Sequence, residues 1–404
     1  MGPKGLLRFQ IKQTHKTGSL LLCFSAASPF TPTHSCPSTQ PLRCYPNQIQ
    51  DTEVSMDLDA LLPAPALSTQ CGRGCGLAVC PTLGLLVTSN FDDNTLSVFA
   101  LPGSSHDALG LHRSGLTRVC TLGDRDSLPE SLAPMRFDFQ TGLGFSGHLA
   151  FTGPTSCRLL LVTDTGNSAV HVIDVVRRVH VGYVAAPGTI AGPRGVAARG
   201  SLVAVSAWAA VRRGDHVVHL FEGSGATWTP IRVLACGFGR PGGADGQLDV
   251  PYGLRFTGDG KGLVVAGSEN GRVSLFTVED GSFVRRVASG LHGPFDVEEC
   301  AGGWLVACFD SHTVDLVHGA RGARRARLGR EGSGHGEFKR PVAIAAVPGL
   351  GLVVREKENE GRLQVFANPE DLTMALMSRH RVGWMVAVAR GVAARSLSVC
   401  VADM

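Results

Sequence analysis

The chain has 404 residues, of which 44% are hydrophobic, enough to build a sizeable core and to exclude wholesale disorder. Its 51 Gly and 22 Pro are too many for a helical protein and suit short strands joined by turns. The net charge of +4 is far from that of a protein that coats nucleic acid, and no apolar run approaches the roughly 18 residues of a membrane-spanning helix.

The amino end stands apart. Residues 1–50 carry Lys4, Arg8, Lys12, Lys16 and Arg43 but no Asp or Glu, and Ser, Thr and Pro are dense from Ser25 to Pro46. Four readings stand: an organelle transit peptide, a short secretory segment around Leu20–Phe24, an extension upstream of a start at Met56, or a plain disordered tail. Residues 1–70 are therefore expected to form a low-complexity, disordered extension outside the fold.

From residue 71 one pattern recurs. A Pro or Gly turn leads into a short apolar strand, a Gly-rich turn follows, then a strong strand, a polar turn and a partner strand. The strong strands are predicted around Val87, Val162, Val205, Val265, Val306 and Val354, at spacings of 75, 43, 60, 41 and 48 residues. A period in the forties with several strands per unit predicts propeller blades, and continuous apolar runs fit strands buried on both faces. Six blades are expected, near 71–103, 143–176, 190–224, 250–280, 293–319 and 340–368, with Ser104–Gly142 as a long linker between the first two. A partial repeat follows at 382–404, where Arg390–Arg395 is identical to Arg194–Arg199; it either closes the ring on the first blade or is a truncated unit.

Two stretches carry a family resemblance. Leu161–Ile173 reads as an apolar strand, Asp164, a polar turn with Asn167 and a Val-His-Val-Ile strand, and this resembles the core of an NHL repeat. Gly237-Phe238-Gly239, Gly246-Gln247-Leu248 and Pro251-Tyr252-Gly253-Leu254 are similar to the inter-blade linker of that family, and Gly334–Phe338 with Pro341-Val342-Ala343 repeats it. The resemblance spans residues 71–404 and implies an all-β, six-bladed β-propeller of NHL type. The strand-end Asp of the family is matched at Asp164 and Asp310 only, and no Trp-Asp dipeptide of the WD40 kind occurs.

The residue after the blade-opening Pro, or its equivalent, is expected to recur around one mouth of the channel. Around the ring it is Cys75, Gly147, Arg194, Tyr252, Phe295 and Val342, with Arg390 from the last partial repeat. Arg, Tyr and Phe exposed there would be the types enriched at binding hot spots, and Arg194, Tyr252, Phe295, Val342 and Arg390 are taken as the candidate binding residues. A second candidate is the basic run Arg321, Arg324, Arg325, Arg327, Arg330, Lys339 and Arg340, read either as solvated linker or as an RNA-binding face.

Catalytic chemistry finds little support. Gly237–Gly242 fits G-x-G-x-x-G, but Pro241 and a further strand follow where a dinucleotide site needs a helix. A metal-lyase reading would need His148, His171, His292 and His312 to converge. Asp164 and Asn167 are expected to cap their turn. The twelve cysteines form no C-x2-C knuckle and there is no N-x-[ST] sequon, which points to reduced thiols in the cytoplasm unless residues 1–50 direct the chain to an organelle. The resulting expectation is a monomeric, non-enzymatic scaffold with no cofactor, no membrane contact and a protein or peptide partner. NHL propellers are often the substrate-recognition part of ubiquitin ligases; with no RING finger here, that link would run through a partner subunit. Single-stranded RNA binding is the alternative, and a metal-dependent lyase or hydrolase in the channel the second alternative.

Overall fold

The computed structural model describes residues 9–13, 20–24, 67–101, 116–123, 137–141, 144–145, 147–152, 158–208, 215–234, 241–300, 303–318, 324–347, 351–366 and 400–401. It separates into two units, 1–54 with 377–404, and 55–376. In the first unit Phe9–Gln13 pairs antiparallel with Leu20–Phe24, whose Leu20 and Leu21 pair with Cys400–Val401.

The second unit is a six-bladed β-propeller, each blade a four-stranded antiparallel sheet. Blade one is Leu77–Cys80, Leu85–Asn90, Thr95–Ala100 and Thr117–Leu122; blade two is Leu149–Thr152, Leu159–Asp164, Ala169–Asp174 and Val179–Ala185. Blade three is Pro193–Arg199, Leu202–Ala207, Val217–Ser224 and Thr227–Leu234; blade four is Pro251–Phe256, Gly262–Gly267, Arg272–Thr277 and Phe283–Ala288. Blade five is Pro294–Cys300, Gly303–Cys308, Thr313–His318 and Arg324–Leu328; blade six is Pro341–Val347, Gly351–Glu356, Arg362–Phe366 and Leu67–Gln70. The first strand of each blade contacts those of its two neighbours, so these strands surround the central channel.

The apolar runs have a simple cause. Successive residues of a strand point to opposite faces, and each face meets a different blade. Leu85 and Val87 enter the core shared with blade two, while Leu86 enters the core shared with blade six. Leu160 and Val162 face blade one, and Leu161 faces blade three. One such core lies at every blade-to-blade joint. Each fully buried Leu or Val contributes about 1.5–3 kcal/mol relative to exposure.

Outermost strands are different, because among the described residues each pairs with a neighbour on one side alone. Thr117–Leu122 is exposed over its first three residues, and five of the eight residues of Thr227–Leu234 are exposed. Polar, charged or glycine residues interrupt them, so they give no continuous apolar run in the sequence. This corrects the expected blade bounds: the fourth strand lies past each of the first five expected blades. In particular, Thr117–Leu122 sits inside Ser104–Gly142, which was expected to be linker throughout. A small hairpin, Gln140–Thr141 with Gly144–Phe145, begins within the same segment.

Ring closure is the second correction. The outermost strand of blade six comes from the amino side: Leu67–Gln70 pairs antiparallel with Arg362–Val365. The propeller therefore begins before residue 71, inside the expected extension. Of the partial repeat at 382–404, only Cys400–Val401 is among the described residues, and it pairs in the first unit.

A repeated hydrogen bond sets each blade against the next linker. The turn before the third strand offers an acceptor, and the incoming linker offers a backbone N–H. Asn94 Oδ1 accepts from Phe139 N (2.9 Å), His216 Nδ1 from Val250 N (2.9 Å) and His312 Nδ1 from Arg340 N (3.2 Å). Elsewhere the turn's own carbonyl serves: Ser168 O accepts from Gly188 N, Gly271 O from Leu291 N and Glu360 O from Gly72 N.

Candidate functional site

Four of the six blades open on Pro, which suits the first residue of a strand because it has no N–H to give the ladder. Directly after each of these prolines the register slips, between Pro193 and Val196, Pro251 and Leu254, Pro294 and Asp296, and Pro341 and Ala343. The bulge re-aims the next side chain. Those side chains are Arg194, Tyr252, Phe295 and Val342. Cys75, Tyr252, Phe295 and Val342 form one cluster at the end of the channel.

They are not exposed, however. Arg194 is 3% accessible, Tyr252 5%, Phe295 2% and Val342 0%. The ring is a plug: Tyr252 stacks on Phe295 with centroids 4.0 Å apart, and His148 stacks on both at 6.3 and 5.7 Å. The expectation of exposed hot-spot residues is corrected to a buried layer whose members pack one another. Close approach here requires glycine, since a Cβ on Gly195 would collide with the Tyr252 carbonyl oxygen. Arg390 lies outside the described residues.

The next ring is formed by the residue after each second strand: Phe91, Trp208, Ser268, Phe309 and Lys357 are half-buried, and Thr165 is buried. Phe91, Trp208 and Phe309 pack on the plug and are only partly buried. Trp208 meets Tyr252 edge to face at 6.4 Å, and Phe309 stacks on Phe295 at 5.4 Å. Cations lie over these rings: the Arg194 guanidinium 4.7 Å from the Trp208 centroid, Arg340 5.1 Å and Lys357 5.6 Å from that of Phe309. Sequence reasoning missed this rim, although its signal was present as an aromatic after the strong strand in blades one, three and five.

Burial sets the electrostatics of the plug. The Cys75 thiol is pushed up to about 12 by desolvation, against the pull of Arg355, Lys357 and Arg194. Tyr252 is also raised to about 12 by desolvation, and His148 is pushed down to about 3 by desolvation with help from Arg194 and Arg355. At neutral pH the thiol, phenol and imidazole are all uncharged, so none is an activated nucleophile or a poised base. Asp296, also on the channel strand of blade five, is raised to about 6 by burial; its oxygens accept from Val297 N at 2.9 Å and Ile344 N at 3.0 Å.

The basic run does not make one cationic face. Arg327 forms a two-point pair with buried Asp315 at 2.9 and 3.1 Å, Arg330 pairs with Glu337 at 3.0 Å and Arg340 with Glu358 at 3.2 Å. Lys339 gives its backbone N–H to Glu356 Oε2 at 2.7 Å. Arg324 and Arg325 fall on the outermost strand of blade five, not in a linker, and Arg321 lies outside the described residues.

The four histidines have separate tasks. His148 belongs to the plug, and His312 accepts the Arg340 N–H. The backbone carbonyl of His292 accepts from Asp310 N at 3.3 Å. His171 Nε2 is 3.0 Å from Asp164 Oδ2 and its Nδ1 is 3.2 Å from His180 Nε2. Among the described residues no group of three or more His, Cys, Asp or Glu is placed to hold a metal. Asp164 does cap its turn, accepting from Asn167 N at 3.3 Å and Asn167 Nδ2 at 2.8 Å, and it also holds the incoming linker through Asp138 N at 3.0 Å. Asp310 lies two residues beyond Cys308, the structural equivalent of Asp164. Most of the G-x-G-x-x-G stretch lies outside the described residues; Pro241 and Gly242 lead into a turn, not a helix.

No family model and no curated protein matches the chain. The solved structures that it matches include a crystal structure of a nidogen/laminin complex, at 14% identity over 64% of this chain and 80% of that one, with a TM-score of 0.45.

Proposed function

We propose that this propeller is a non-catalytic scaffold that binds a protein or peptide segment at the mouth ringed by Phe91, Trp208 and Phe309. The observation that carries this reading is the pairing of two layers. A buried plug of uncharged Cys75, Tyr252 and His148 closes the channel end, while a rim of part-exposed aromatic side chains sits directly on it. Rigid aromatic anchors on a preorganised floor are what a protein interface uses for its central contacts.

The finer assignment to the NHL type is supported by the Asp164–Asn167 turn and by the buried Leu248 and Phe338 of the two quoted linkers. A role as the recognition subunit of a ubiquitin ligase, joined through a partner, follows from that assignment alone. A reducing compartment is supported by Cys71, Cys75 and Cys120, which are free thiols. Among the described residues no helix is long and apolar enough to cross a membrane.

The test is affinity capture with the full chain at low and high salt, with and without RNase, beside the Trp208→Ala/Phe309→Ala double variant. A protein that is retained through both treatments and lost with the double variant supports the reading. Capture that ignores both aromatics overturns it, and recovery of RNA lost at high salt moves the function to nucleic acid.

A further inference from the structure

The linker residue whose N–H is taken by the preceding blade has left-handed backbone at four of the joints. At two of them it is glycine, Gly72 (φ +80°) and Gly188 (φ +80°), and the acceptor is a backbone carbonyl, that of Glu360 at 3.1 Å and of Ser168 at 3.0 Å. At the other two it is Val250 (φ +48°) and Arg340 (φ +57°), and the acceptor is a histidine ring nitrogen, Nδ1 of His216 at 2.9 Å and of His312 at 3.2 Å. Glycine takes that backbone without strain. A β-branched valine takes it only where its surroundings hold it there. The strained linker positions are thus the ones fastened by a side chain that titrates near neutrality.

Both fastenings lie next to the plug. Val250 and Arg340 directly precede Pro251 and Pro341, and the residues that follow these prolines are Tyr252 and Val342. Arg340 also lays its guanidinium over Phe309 of the rim. A ring nitrogen accepts only while it carries no proton; once protonated, Nδ1 is a donor facing another donor, and the bond to the linker N–H is lost. In blade three the new proton has a partner at hand. Asp249 Oδ1 lies 3.2 Å from the same His216 Nδ1, so protonation exchanges the Val250 N–H for the Asp249 carboxylate. Burial is the strongest influence on His216 and holds it below its ordinary value, while Asp249 from the linker and Asp215 beside it pull the other way. Trp208 packs against the ring and brings no charge. His312 faces Arg340 of the linker, whose guanidinium is itself paired with Glu358 of blade six.

We propose that His216 and His312 are acid-sensitive latches: protonation frees the linkers that carry Tyr252 and Val342 into the ring and so loosens the plugged mouth. At His216 the closed linker favours the neutral ring more than the open linker does. That latch is therefore fully closed above about pH 6.5 and opens as the pH falls below it, by up to about tenfold in the opening equilibrium per pH unit. Blade one, with Asn94 Oδ1 as its acceptor, and the joints that use a carbonyl have no such response. The inference concerns the linkers and holds whatever the mouth binds.

The test is amide hydrogen exchange of the full chain between about pH 7.5 and about pH 5, corrected for the chemical exchange rate and read on peptides covering residues 241–250 and 330–340. In the parent, protection of both linkers is expected to fall about tenfold or more across that range, while Gly262–Gly267 inside blade four keeps its own. The His216→Asn/His312→Asn double variant carries at both joints the side chain that blade one uses, which accepts but does not titrate, and its linkers are expected to stay protected at the lower pH. Melting curves at the higher pH identify a variant that has lost its fold, and His216→Gln/His312→Gln, with the same acceptor on a longer arm, then takes its place. The proposal is overturned if the parent's linkers are equally protected at both ends of the range, or if the substituted protein opens with the same pH dependence. It is also overturned if Gly262–Gly267 opens together with the linkers, because the acid response is then unfolding of the whole ring.

Discussion

The joint between blades three and four and the joint between blades six and one solve one problem with different chemistry. At both, the fifth residue of the second strand reaches across to the channel strand of the following blade. In blade three it is Ser206, whose hydroxyl accepts from Gly195 N at 2.8 Å and donates to the Tyr252 carbonyl at 2.6 Å. Thr163 does the same in blade two, donating to the Arg194 carbonyl at 2.6 Å. In blade six it is Arg355, fully buried, whose guanidinium donates to the carbonyls of Gly76, Gly72 (2.9 Å) and Ser89 (2.6 Å) in and beside blade one. Blades three and four are each one continuous stretch of chain. In blade six the first three strands are tied to the segment entering blade one by their pairing with Leu67–Gln70, and there Arg355 adds three charge-assisted bonds.

This comparison is broken most directly at Arg355. Arg355→Met removes the guanidinium from the carbonyls of Gly72, Gly76 and Ser89, of which Gly76 keeps Ser89 N at 3.3 Å, and is expected to cost roughly 3–5 kcal/mol, measured by denaturant unfolding. If the loss is under 1 kcal/mol, the closure does not depend on the guanidinium. Ser206→Ala leaves a buried N–H and a buried carbonyl unpaired, with an expected cost of about 2 kcal/mol in the same measurement. A loss equal to that of Arg355→Met would erase the distinction between the two joints.

The plug sharpens the comparison through pH. His148 is depressed to about 3 in the folded protein, against about 6.5 when unfolded, so the unfolded chain takes up the proton first. The stability contributed by the neutral imidazole is fully present above about pH 6.5 and is lost at about 1.4 kcal/mol per pH unit as pH falls towards 3. Asp296, raised to about 6, acts in the opposite sense between about pH 4 and 6, so parent and variant must be compared. His148→Phe keeps the stacking and removes one proton from the slope; equal slopes in the two proteins would contradict the burial of the imidazole. The smallest effect is expected at Cys71, whose buried thiol donates to the Gly361 carbonyl at 2.7 Å beside the closing strand. Cys71→Ala is expected to cost about 1 kcal/mol, read as a lowered melting temperature.

How much was legible in the chain depended on burial. The second and third strands of every blade, from Leu85–Asn90 to Arg362–Phe366, read as apolar runs because both faces meet other blades. Outermost strands such as Thr117–Leu122 and Arg324–Leu328 could not be read, because a strand with one solvated side carries whatever residues the surface tolerates. Arg194, Tyr252, Phe295 and Val342 share a place after proline that the repeat makes visible, but their burial was not visible there. Position in a repeat says which residues meet, and the bulge after each proline decides that they point inward. Phe91, Trp208 and Phe309 have the same periodicity one layer out, and only their contact with the plug marks them as a rim.

The amino-acid sequence by itself therefore determined the repeat and the number of blades, because these follow from the spacing of apolar residues that must leave water. Only the tertiary structure decided which segment closes the ring and which of two equivalent layers faces solvent. Closure pairs Leu67–Gln70 with residues almost three hundred positions away, and that pairing leaves no local pattern. Exposure at the mouth depends on how six blades converge on one axis, a property of the assembled ring and of no single repeat.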